Sequence, residues 1–391
     1  MSNNEKNDER SRLRGWLALR MVRGVGPVLY QGLLRAFGDP GAVLAASAHA
    51  LACAGVRPEV AAAIRAFTAW PLVDDQLARL GRCGAELVTW DDPGYPANLR
   101  QIHDPPPVLF VRGTLLARDT LAVAIVGSRA ATAHGLRMAR ALAEGLAGHG
   151  LTVVSGLARG TDAEAHWATL RAGGRTLAVF GSGVDVVYPP EHRRLAREIG
   201  AAGALLSELP PGSKPDAENF PARNRIISGL TLGTVVVEAA ERSGSLITAR
   251  CAAEQGREVF AVPGPVGDRT RGTHRLIREG AKLTESVDDI LEELAPQLVR
   301  SASAPTPAAP PRALAPTEAA LLAVLGPQPQ HVDAVIARSG LPASTVLPVL
   351  LQLELTGVVE QLPGKHFLAR GVDGPAALVK ERPYGEEPGD R

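Results

Sequence analysis

From residue 121 the chain repeats one rhythm: an apolar run of strand length, then an amphipathic segment of helix length. The runs are LAVAIV (121–126), LTVVS (151–155), TLAVF (176–180), ALLSE (204–208), TVVVEA (234–239) and EVFAVP (258–263). A strand that is apolar on both faces must be covered on both faces. The intervening helices supply that cover and return the chain to start a parallel neighbour. The rhythm therefore specifies an α/β domain with a doubly wound parallel sheet.

In such a sheet ligands sit beyond the carboxyl ends of the strands, so the loops at those ends come first. They read GSRAATAHG (127–135), SGLARGTD (155–162), GSGVDVVYP (181–189), a long loop ending in Phe220, Arg223, Asn224 and Arg225, and EAAERSGSLIT (238–248). Glycines let backbone N–H groups turn toward a ligand, and a helix N-terminus favours negative charge. Arg129, Arg159, Arg223 and Arg225 add planar forks that suit phosphate. Together these loops predict an anion-binding rim with several phosphate positions. Each motif also has a plainer reading. GSR and SGLARG can be a surface charge and a tight turn, GSGVD can be turn chemistry with Asp185 as a cap, and SGSLIT can be a capped helix start. The triplet Arg223-Asn224-Arg225 resists dismissal, because two arginines beside an apolar helix face are costly if buried without partners.

Several chemistries are excluded. The first loop lacks GxGxxG, no GxxxxGK[ST] occurs, and no GxSxG nucleophile elbow is present. Asp162 and Glu238 are possible acids or bases with no evident partner, and the histidines show no metal spacing, so neither a catalytic residue nor a metal or cofactor is expected. The 391-residue chain has a net charge of +1, so any anion site is a local patch built by the fold. Cys53, Cys83 and Cys251 show no pairing or metal pattern and fit a reducing compartment. With no signal peptide or membrane span evident, a cytoplasmic protein is expected.

The blocks AIVGSRAAT, VVSGLARGTDAEAH, LAVFGSGVDVVYPPEHRRL, LSELPPGSKPDAENFPARNRIISGL, VVVEAAERSGSLITARCAAEQGREVFAVPG and LIREGAKL occur in order. In them the chain resembles the DNA processing protein A (DprA/Smf) family. The resemblance implies an extended Rossmann-like domain that binds single-stranded DNA, forms homodimers and helps load RecA recombinase during natural transformation, without known enzymatic activity. It further implies a DNA groove lined by Gly127, Ser128, Arg129, Ser155, Gly156, Arg159, Gly160, Gly181, Lys214, Phe220, Arg223, Asn224, Arg225, Ser243 and Ser245. Two positions depart from the family pattern: Ala222 replaces a basic residue in FPxRNR, and His274 stands where Asn is usual. The alternative from another class is a Rossmann-type nucleoside monophosphate phosphoribohydrolase. Its PGGxGTxxE block is absent, since that place reads ERSGSLITA.

Aromatic residues make up 4% of the chain. Base stacking therefore rests on few rings, with Phe220 and Tyr188 the best placed. Residues two apart on a helix diverge by about 200°, so Arg223 and Arg225 are expected in two roles, one reaching for DNA and one bracing, with Asn224 fixing the turn after Phe220-Pro221.

The flanking regions divide as 1–84, 85–296, 297–316, 317–370 and 371–391. The first is helical and resembles a helix-hairpin-helix (SAM-like) domain around Gly24-Val25-Gly26; GVRPEVAAAIRAF is a possible second copy. The second is the sheet domain. The third is a Pro/Ala-rich linker. The fourth resembles a winged helix, with a strand pair about Pro363-Gly364. Its candidate recognition helix has no Lys or Arg and carries Glu354, which favours protein contact over DNA readout. The last is a flexible tail.

Overall fold

The computed structural model describes residues 3–303, 316–325, 330–355, 359–362 and 365–369. The chain divides into two compact units, residues 1–304 and 305–391.

The first unit opens with six helices: α1 (Asn3–Met21), α2 (Pro27–Phe37), α3 (Pro40–Ala45), α4 (Ala48–Cys53), α5 (Pro58–Arg65) and α6 (Trp70–Cys83). Local chemistry sets their ends. Asp39 accepts from the Ala42 N–H at 3.0 Å to cap α3, and Ser47 accepts from Ala50 at 3.1 Å to cap α4. Prolines open α2, α3 and α5, where their missing N–H would be unpaired in any case.

The chain then lays down β1 (Glu86–Thr89), α7 (Ala97–Arg100), β2 (Val108–Gly113), β3 (Ala122–Val126), α8 (Ala133–Gly148), β4 (Thr152–Ser155), α9 (Thr161–Arg171) and β5 (Thr176–Val179). It continues with α10 (Arg193–Ala202), β6 (Ala204–Ser207), α11 (Asn219–Gly229), β7 (Gly233–Val236), α12 (Ser245–Glu254), β8 (Glu258–Ala261), α13 (Arg271–Arg278), β9 (Lys282–Leu283) and α14 (Val287–Ser303). The strands form one sheet in the order β1-β2-β6-β5-β4-β3-β7-β8-β9. Every pairing from β6 to β9 is parallel, whereas β1 with β2 and β2 with β6 are antiparallel. The sheet is thus mixed at one edge.

Alternation along β3 shows why it reads as wholly apolar. Ala122, Ala124 and Val126 enter a core with Ile226, Ile227 and Leu230 of α11 and Leu246 and Ala249 of α12. Val123 and Ile125 enter a separate core with Leu142 and Leu146 of α8 and Ile290 and Leu294 of α14. Successive side chains of a strand point to opposite faces, so both faces are dry. The N-terminal helices have no core of their own. Trp16, stacked on Tyr30 at 5.5 Å, belongs to the same cluster as Phe110 of β2, Phe180 and Ile199 of α10. Arg20 of α1 reinforces that junction by donating to the Glu208 carbonyl at 2.5 Å and lying over the Phe110 ring.

The linker is expected from residue 297, inside a helix of the structure. Helix α14 runs through Pro296 to Ser303, so residues 297–303 are helical. Residues 304–315 and the tail at 371–391 lie outside the described residues.

The second unit comprises α15 (Pro316–Leu325), β10 (Gln330–His331), α16 (Val332–Ser339), α17 (Ala343–Leu355), β11 (Val359–Leu362) and β12 (His366–Ala369). Its strands form an antiparallel sheet in the order β10-β12-β11, over a core that includes Leu321, Leu325, Val335, Leu350 and Phe367. This is a winged-helix arrangement. The turn expected at Pro363-Gly364 lies outside the described residues. Among the described residues no single helix is long and apolar enough to cross a membrane.

Candidate functional site

The strand order reverses between β3 and β7. From β3 the chain works outward through β4 and β5, and from β7 it works the other way through β8 and β9. Loops on either side of such a reversal part and leave a crevice. An open cleft of about 810 Å³ lies there, lined by Gly127–Ala130 after β3, by Phe220, Arg223 and Asn224 of α11, and by Arg242–Ser245 after β7. Tyr188 and Asp162 also line it.

The loops interlock closely. The Ser128 carbonyl accepts from the Thr161 N–H at 3.1 Å. Gly160 precedes α9 at φ +72°, where a Cβ would run into the Ser128 and Arg129 carbonyls. Both the left-handed backbone and the close approach demand glycine. A Cβ on Gly156 would lie 2.6 Å from the Arg223 guanidinium, so Gly156 is required by that contact. Gly127 packs against Thr161, and Gly181 lies close to the Phe220 ring.

Arg223 is 7% exposed. It donates to the Gly156 carbonyl at 2.9 Å and to the Val179 carbonyl, tying the carboxyl ends of β4 and β5. Burial pushes its pKa down to about 10; Asp162 opposes that shift and Arg129 adds to it. It stays charged at neutral pH. Asp162 accepts from the Gly156 and Ala158 N–H groups at 3.1 and 3.2 Å, and its burial raises its pKa. Arg225 is not among the cleft residues. It pairs with Asp104 and Glu208, each at 2.9 Å. Burial lowers its pKa, but the two carboxylates prevail and hold it above its ordinary value.

Both arginines therefore brace the fold, Arg225 outside the cleft lining and Arg223 within it. Helix α11 also begins at Asn219 rather than after Pro221, which occupies the first turn where its missing N–H costs nothing. Asn224 is held by Arg223 Nε and donates to the Gly244 carbonyl at 3.3 Å, linking α11 to the loop after β7.

The SGLARG loop differs from its expected role. Ser155 is fully buried and donates to the Ile125 carbonyl at 2.6 Å, and the Gly156 N–H is taken by Asp162. Neither offers a donor to a ligand. Arg159 is exposed beside the cleft but paired with Glu191 at 2.5 Å. The other acidic candidate, Glu238, is buried and accepts from the Thr132 hydroxyl at 2.6 Å, steadying the start of α8.

The exposed cleft chemistry is compact. Arg129 is exposed, with its guanidinium carbon 5.7 Å from the Phe220 ring centre. Tyr188 and Phe220 lie 5.7 Å apart at 47°, forming a two-ring platform. Ser243 and Ser245 hydroxyls bond each other at 2.8 Å at the start of α12. Lys214 is exposed on the loop before α11, outside the cleft lining, and makes no ion pair among the described residues. Arg242, which the sequence reading passed over, is exposed on the cleft wall and likewise unpaired among the described residues. Asp162 is the cleft's one lining carboxylate, and it is buried under Arg223. The result is a positively charged wall facing an aromatic platform. No group of His, Cys, Asp and Glu side chains fit to hold a metal occurs among the described residues.

Known proteins share this chain's pattern. Residues 86–295 match the family described as DNA recombination-mediator protein A, and residues 305–365 match the DprA winged helix domain. Protein Smf of Escherichia coli strain K12 is 44% identical over 76% of this chain and 81% of its own. Protein Smf of Synechocystis is 36% identical over 91% of this chain and 98% of its own. The crystal structure of DNA processing protein A from Streptococcus pneumoniae superposes with a TM-score of 0.61 at 38% identity, covering 71% of this chain and 97% of that one. The cleft at the sheet's reversal, with its braced arginines, is thus built on a framework shared with these proteins, and the chain belongs to the DprA/Smf family of DNA recombination mediators.

Proposed function

We propose that this protein binds single-stranded DNA across the cleft between the β3 and β7 loops and presents it to RecA recombinase, acting as a cytoplasmic homodimer in the uptake of transforming DNA. The observation that carries the DNA-binding reading is the pairing of two exposed arginines, Arg129 and Arg242, which make no ion pair among the described residues, with the Tyr188–Phe220 platform. Phosphates meet the guanidinium groups, and unstacked bases meet the rings. A duplex hides its bases in the stack and gains nothing from such a platform, so single strands are preferred. RecA loading, natural transformation and dimer formation rest on membership of a family of recombination mediators.

Binding rather than catalysis fits the ionisable groups. Asp162, the one carboxylate lining the cleft, and Glu238 are both committed to backbone and hydroxyl donors, which does not favour the hydrolase alternative. The test is competition between labelled single-stranded and duplex oligonucleotides of one sequence, followed by assembly of RecA on the single strand in the presence of this protein. Single-strand preference and faster RecA assembly support the reading. Equal affinity for duplex, or release of free base from a nucleoside monophosphate, contradicts it.

A further inference from the structure

A second concave site is lined in part by the loop between β5 and α10. A cavity of about 380 Å³ is lined by Arg112 of β2, Asp185, Val186 and Val187 of the loop, and Arg193, Ala196 and Arg197 of α10. All three arginines are exposed, and among the described residues none of their side chains has an ion pair or a hydrogen bond. Arg193 and Arg197 stand four apart on one helix face, a like-charge arrangement that costs the helix stability. Arg194, on another face, lies over the Trp167 ring instead. The one carboxylate of the cavity, Asp185, accepts from the Gly212 N–H at 2.8 Å. Three cations therefore converge on a hollow with one committed anion.

We infer that this hollow is a phosphate seat for the same polynucleotide strand that occupies the main cleft, placed one loop farther along its path. This rests on the single-strand reading of that cleft. Consecutive residues carry the connection: Tyr188 lines the main cleft and Val187 lines the second cavity. A strand stacked on Tyr188 and continuing over the loop brings its next phosphates toward Arg193 and Arg197. Guanidinium forks on separate elements, a strand and a helix, hold a phosphodiester from two sides.

The experiment measures affinity for oligothymidylates of about 5 and about 15 nucleotides, spanning the site sizes of single-strand grooves, across a salt series. The proteins are the wild type, Arg193→Ala/Arg197→Ala and Arg129→Ala. The expected result is that the double variant binds the short strand normally. It binds the long strand about tenfold more weakly, with a log K against log salt slope shallower by about 0.7, the loss of one phosphate contact. Arg112→Gln, on β2, reproduces the effect without touching α10. An unchanged slope and affinity for the long strand, with Arg129→Ala still weak, overturns the seat and leaves the cleft reading intact. Equal weakening of both lengths overturns it also. If Arg129→Ala binds like the wild type, the cleft reading falls and the seat with it. Saturable binding of inorganic phosphate that Arg193→Ala/Arg197→Ala abolishes, with no length effect on DNA, assigns the hollow to a free anion and overturns the polynucleotide seat.

Discussion

Arg223 is charged at neutral pH in a place where burial alone would discharge many groups. What keeps it charged is the two strand-end carbonyls it reaches and the Asp162 carboxylate nearby. Removing it leaves Asp162 buried without its counter-charge and the two carbonyls without a donor. Arg223→Ala is therefore expected to lower unfolding stability by about 3 kcal/mol, measured by urea denaturation, and to weaken DNA binding only as a consequence of the disordered loops. His166 gives a second residue-scale expectation. Its ring is fully buried, 2.7 Å from the Thr176 hydroxyl, and burial pushes its pKa down to about 3. Below pH 6.5 the unfolded chain takes up a proton on this ring that the folded chain refuses until about pH 3. The neutral ring's contribution is thus complete above pH 6.5 and lost progressively as pH falls, by about 2 kcal/mol at pH 5. Urea titrations at pH 7 and pH 5 are expected to show that loss in the wild type and to show less of it in His166→Asn.

At the scale of elements, the site is a set of loops locked together rather than a row of independent phosphate cradles. Gly160 joins the β4 loop to the β3 loop that carries Arg129. Gly160→Ala is expected to cost about 1 to 3 kcal/mol of stability from backbone strain, and to weaken DNA binding although Arg129 itself is untouched; denaturation and binding assays on one preparation check both. This locking also explains what the sequence disclosed and what it did not. The apolar runs disclosed the parallel strands, because a strand dry on both faces has no other home. The glycine-rich loops disclosed the ligand edge. Arg223 and Arg225 marked the right helix, but their partners were invisible: Gly156, Val179, Asp104 and Glu208 lie far away in sequence, and only the fold brings them near. Ser155 looked like a phosphate donor for the same reason, since its acceptor is the carbonyl of Ile125 on the neighbouring strand. Arg242 lies in the loop EAAERSGSLIT, whose plainer reading is a capped helix start, and only the fold turns it toward the cleft. The joining of β1 and β2 to the sheet in antiparallel fashion follows from pairing, which short extended segments do not reveal by composition.

For the whole molecule, a net charge of +1 means that DNA attraction cannot come from bulk basicity. On the proposed reading it comes from a few local unpaired cations, those of the cleft first, while Arg225, Arg175 and Arg12 are spent on carboxylates elsewhere. The single measurement that bears most directly on this account is the salt dependence of single-stranded oligonucleotide affinity for the wild type and for Arg129→Ala/Arg242→Ala. Loss of two phosphate contacts makes the log K against log salt slope shallower by about 1.4 and weakens binding at low salt, with the folded stability unchanged. A double variant with the wild-type slope and affinity would contradict the claim that this cleft holds the DNA.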